Sequence, residues 1–204
     1  MTRVRALGVP RTDAFFDTER VARTRADVRE RWGVSDDETL VLFAPTFRGN
    51  GQLSAATDES ADWGAVTRDL GPGHRVAVRR HPFTVANGPA LPDEVIDGAD
   101  GEMNDVLMAA DVLVTDYSSS IFEFALLRRP IVMFVPDLDD YTGSRSFYRP
   151  FDHYVTGPVA RSADELVEAI RGAEVDPVRM DAMVTEFCGA LDGHSSQRIV
   201  RELF

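Results

Sequence analysis

Three short runs in this sequence are apolar on consecutive residues rather than on alternate ones: TLVLFA at 39–44, DVLVT at 111–115 and PIVMFV at 130–135. A strand that is apolar on both faces has to be covered on both faces, and a parallel sheet between two helix layers does this. RVAVR at 75–79 reads as a further strand stopped by Pro82, and a short one fits 94–97. Helical periodicity or length fits 62–70, 104–109, 118–129, 163–171, 177–191 and 195–203, with turn-rich sequence over 136–158. Strands alternating with helices require right-handed crossovers. The expected fold is therefore α/β, a Rossmann-like doubly wound parallel sheet.

Composition narrows the partners. The 204 residues carry 34 acidic and 22 basic side chains, a net charge of −12, which argues against a nucleic-acid partner. All 22 basic residues are arginine, so a phosphate must be met by guanidinium, histidine or backbone amide and never by lysine. Cys188 is the only cysteine, which removes intrachain disulfides and cysteine metal cages and fits a reduced, cytoplasmic setting. The sequence has no run of 18 apolar residues, and no long apolar stretch follows the basic start Met1-Thr2-Arg3-Val4-Arg5. Neither a membrane span nor a signal peptide is expected.

In doubly wound sheets ligands sit beyond the carboxyl ends of the strands, so the residues just after each strand are the candidates. Thr115-Asp116-Tyr117-Ser118-Ser119-Ser120 runs from a buried strand into a helix start. There, unpaired amides and three hydroxyls suit an anion such as a diphosphate. Capping of the helix by Asp116 or Ser118 is the competing account. Arg80-His81-Pro82 ends another strand, and the proline fixes the backbone beside an imidazole able to stabilise charge. Thr46 and Arg48 follow the first strand, where an arginine fork matches phosphate geometry and a plain surface turn is the alternative. Glu123, early in the serine-led helix, either receives ribose hydroxyls or faces solvent. A GxGxxG loop and a Walker loop are both absent from the sequence.

Taken in order, Gly8-Val9-Pro10-Arg11-Thr12-Asp13, Ala44-Pro45-Thr46-Phe47-Arg48, Arg80-His81-Pro82, the segment from Ala110 to Ser119, Arg129-Pro130-Ile131 and Asp192-Gly193-His194-Ser195-Ser196-Gln197-Arg198 resemble the CDP-glycerol glycerophosphotransferases. The resemblance covers nearly the whole chain. Phe47 departs from it, standing where the family usually carries tryptophan. It implies the C-terminal, nucleotide-binding half of a GT-B fold, with residues 1–38 as interdomain junction and leading helix and 39–204 as the nucleotide-binding domain. His81 matches the family's His-Pro histidine, and Ser118 and Ser119 its phosphate-binding turn.

The implied reaction transfers glycerol phosphate from CDP-glycerol, or a related CDP-polyol, to a lipid-linked or polymeric acceptor in teichoic-acid-like polymer synthesis. No cofactor or metal is implied. The resemblance assigns the acceptor side to an N-terminal domain outside these residues, and the intact enzyme to the inner face of the cell membrane. Two alternatives stand beside it: a GT-B glycosyltransferase domain using a UDP- or GDP-sugar, and a catalytically inactive regulatory or assembly module.

Overall fold

The computed structural model describes residues 5–46, 61–80, 90–139, 141 and 148–203. Its centre is one sheet of six strands: β1 (Thr39–Phe43), β2 (His74–Val78), β3 (Ile96–Asp97), β4 (Val112–Thr115), β5 (Ile131–Phe134) and β6 (Val159–Ala160). They lie in the order β3-β2-β1-β4-β5-β6, and every pairing is parallel. The sequence-based expectation of a doubly wound parallel sheet is met, and the order reverses between β1 and β4.

Helices cover both faces. Among the described residues these are α1 (Thr18–Trp32), α2 (Trp63–Leu70), α3 (Met103–Ala109), α4 (Ser120–Ala125), α5 (Ala163–Arg171), α6 (Pro177–Phe187) and α7 (Ser195–Leu203), preceded by a 3-10 helix over Pro10–Phe16. Local sequence sets their ends. Asp17, Asp62, Ser162 and Asp176 each accept a hydrogen bond from a first-turn amide, and Pro177 opens α6 where its missing N–H costs nothing. Gly33 closes α1 in the left-handed conformation, with φ 62°.

Alternate residues of each strand enter opposite cores. Leu40, Leu42, Leu113, Ile131 and Met133 pack under α1, α3, α4 and α6. Val41, Phe43, Val76, Val114, Val132 and Phe134 meet Trp63, Val66, Leu166 and Ile170 of α2 and α5. Phe43 stacks on Trp63 with ring centroids 4.0 Å apart.

Two expectations needed adjustment, and one strand was not expected at all: β6 is only two residues long and carries no periodic signal. The helix expected over 118–129 is shorter, because Leu126, Leu127 and Arg128 bond back three residues and tighten its end. Arg128 then takes φ 55°, and Pro130 cannot donate to a helix. The helix expected to reach 191 stops at Phe187, with Cys188 as a buried residue just past its end.

Candidate functional site

The turns that leave β1 and β4 lie side by side at the switch point, and buried polar atoms lock them together. Thr115 Oγ1 donates to the Ala44 carbonyl at 2.6 Å. Asp116 accepts from the Thr46 amide at 2.9 Å, from Thr46 Oγ1 at 2.9 Å and from the Tyr117 amide at 2.6 Å. Thr115 and Asp116, expected from sequence to touch a ligand, are both fully buried and stand behind the cleft lining. Their work is to fix the turn that carries Thr46 and the one that carries the serines.

Those serines do line the cleft. Ser119 is exposed, Ser118 half-buried and Ser120 buried, and all three border one open cavity of about 820 Å³. Ser118 Oγ accepts from Ser120 Oγ at 3.0 Å and from the Ser120 amide at 3.3 Å. The Ser118 carbonyl accepts from the Ile121 amide, and the Ser119 carbonyl from the Phe122 amide. Among the described residues the Ser118 and Ser119 amides have no protein acceptor. Ser119 sits at the helix start without a side-chain cap bond, so a capping role is carried only by the long Ser120–Ser118 contact. What remains is a pair of donors at the cleft wall, the arrangement that holds oxyanions.

Arg11, Arg20, Arg79 and Arg80 border the same cavity. Arg80 is buried and pairs with Asp97 at 3.3 Å, while Arg79 Nη1 donates to the Gly98 carbonyl at 2.5 Å. Glu123 is buried, which removes the solvent-facing alternative, and its Oε1 accepts from Arg11 Nε at 2.8 Å and Nη2 at 2.5 Å. Arg11 and Arg20 were missed as site residues. The motif holding Arg11 stands out in the sequence, but its partner is 112 positions away. His81 and Arg48 lie outside the described residues.

A strap from Gly8 to Asp13 delivers Arg11. Gly8 has φ 87°, and a Cβ there would lie 2.2 Å from Ser195 Oγ, so only glycine fits. Asn104 Nδ2 donates to the Arg11 carbonyl at 2.8 Å. Asp13 accepts from the Ser195 and Ser196 amides at 2.9 and 2.8 Å, capping α7 from the other end of the sequence. Burial nudges the Asp13 carboxyl upward, but the Ser196 and Ser195 bonds outweigh it and hold the group down at about 2. Arg198 closes the strap by donating to the carbonyls of Leu7 and Ala190. The sequence motif that ends the chain and the one that begins it are thus a single structural unit.

Sheet and cleft define the class: a doubly wound α/β domain whose open polar cleft lies at the carboxyl ends of its central strands. The chain belongs to the CDP-Glycerol:Poly(glycerophosphate) glycerophosphotransferase family, whose model matches residues 2–204. It is 37% identical to the teichoic acid poly(ribitol-phosphate) polymerase of Bacillus spizizenii, over 97% of this chain and 33% of that protein. It is 33% identical to the teichoic acid ribitol-phosphate polymerase TarK of Staphylococcus aureus, over 97% of this chain and 40% of that one. The chain thus spans well under half the length of these relatives. Among solved structures, the wall teichoic acid polymerase TagF soaked with CDPG superposes on 97% of this chain and 50% of its own, with TM-score 0.79 and 25% identity.

Proposed function

We propose that this chain is the donor-binding half of a CDP-glycerol-dependent glycerophosphotransferase that extends teichoic-acid-like polymers. The observation that carries the reading is the pair of Ser118 and Ser119 amides, without an acceptor among the described residues, in a cleft at the switch point that guanidinium groups also line. A cytidine diphosphate head fits that wall by charge and by the geometry of helix starts. Ser118, Ser119 and Ser120 hold the diphosphate. Glu123 takes ribose hydroxyls through Oε2, which has no partner among the described residues. His81 stabilises charge on the phosphate, and Arg48 assists.

In the reaction a terminal hydroxyl of the acceptor attacks the β-phosphorus of CDP-glycerol. A new O–P bond forms, the bridging P–O bond breaks, and its electron pair leaves with CMP. The hydroxyl proton passes to a base supplied with the acceptor side of the whole enzyme. Substitution at phosphorus asks the protein for positioning and charge stabilisation rather than a covalent intermediate. Acceptors of this kind are lipid-linked, which sets the intact enzyme at the inner membrane face. Among the described residues no helix is long and apolar enough to cross a membrane.

The test is calorimetric titration of CMP and CDP-glycerol into wild type, Ser119→Ala and His81→Ala. Loss of one charged hydrogen bond is expected to cost about 1.5–3 kcal/mol, a ten- to hundredfold weakening. Equal binding by all three, or no binding by any, overturns the site. A second reading, CDP-ribitol as donor, is favoured by the names of both relatives described above, and competition between CDP-glycerol and CDP-ribitol separates the two.

A further inference from the structure

The proposed donor site leaves Arg11 without a task, although it borders the cleft and is tied to Glu123 and Asn104. Guanidinium has five N–H donors; two go to Glu123 Oε1, which leaves three. Arg11 makes no other side-chain bond among the described residues, and its side chain is 61% exposed, whereas that of Glu123 is 8% exposed. Its remaining donors border the cavity that Ser118 and Ser119 line.

We propose that Arg11 is a ligand of the donor's phosphate next to the ribose, and that Glu123 is the residue that positions it. The inference rests on the donor reading above and assigns a further contact within the same site. Glu123 then has two faces. One oxygen meets ribose and the other grips Arg11, so the guanidinium is held next to the sugar site. Fixing the side chain before the ligand arrives removes a rotamer cost that a free arginine bears on binding. The strap adds to this preorganisation, because Asn104 pins the Arg11 carbonyl and Asp13 anchors the segment to α7.

Comparing cytidine with CMP isolates the phosphate. Both are titrated calorimetrically into the wild-type chain, Arg11→Gln, Arg11→Lys and Glu123→Gln, with thermal melts to verify folding. Arg11→Gln is expected to weaken CMP tenfold or more and cytidine by much less. Arg11→Lys restores part of the CMP affinity, since the charge returns without the fork. Glu123→Gln weakens both ligands, because it loses the ribose contact and releases the guanidinium. If Arg11→Gln binds CMP as tightly as wild type, or loses cytidine and CMP alike, the assignment of Arg11 falls and the donor site stands. If the wild-type chain binds neither ligand, the donor reading itself fails and this inference with it. Should Arg11→Gln not fold, the Arg11→Lys comparison makes the same decision: a several-fold loss for CMP only, against none or an equal loss for both.

Discussion

Asp116, expected from sequence to touch a ligand, makes bonds that hold the turn itself. Fully buried, it accepts from two amides and a hydroxyl at the junction of the β1 and β4 turns. Asp116→Ala leaves those donors unmatched in the interior, and the expected loss is about 3 kcal/mol or more in a denaturant melt. Cys188 is a residue-scale case of the opposite kind. Burial, with a smaller push from the Glu123 charge, drives its thiol up to about 11. At neutral pH it stays protonated, so a disulfide-exchange reagent such as DTNB is expected to label it only after unfolding. Rapid labelling of the folded chain would contradict that. The serine turn was legible because strand, turn and helix start are neighbours in sequence. Arg11 was not, since nothing within ten positions of it announces a buried carboxylate on α4.

At the scale of elements, α7 borrows a cap from Asp13. Because the Asp13 carboxyl is held at about 2 when folded, below its ordinary value near 3.9, it favours the folded state at any pH above that ordinary value. The contribution fades as pH falls through the interval and is gone once the folded carboxyl protonates. Asp13→Asn is expected to flatten the fall in thermal stability between about pH 4 and pH 2; an unchanged slope would refute the borrowed cap. The boundaries of α5 and α7 matched the sequence pattern because each has a strong apolar stripe with a clear start. The shortened α4 did not, because its end is decided by Arg128 adopting φ 55° before Pro130, a backbone choice that side-chain periodicity does not encode.

Across the whole molecule, a further cluster of structural charge lies at the amino end of β4, away from the cleft. Asp111, just before β4, accepts from the Leu40 amide at 2.8 Å and pairs with Arg25 at 2.5 Å and Arg29 at 2.8 Å, while Arg129 donates to the Met108 and Ala110 carbonyls. Burial raises the Asp111 carboxyl, but the Leu40 amide and the two guanidinium groups overcome this and hold it below the usual range. Its contribution is therefore complete above about pH 4 and is lost on acidification. Asp111→Ala strands buried Arg29, so a destabilisation of about 3 kcal/mol is expected, with CMP affinity unchanged in calorimetry at neutral pH. A parallel loss of affinity would mean that the two ends are coupled. The alternating element order, and hence the sheet, was readable from the apolar runs alone, whereas the clamp between the first and last motifs required the fold to close. An all-guanidinium complement of cations also has a practical consequence. Amine-directed reagents and lysine acylation find no side chain to modify, while a dicarbonyl reagent is expected to modify exposed Arg11, to be slowed there by CMP under the proposed assignment, and to spare Arg29, at 3% side-chain exposure.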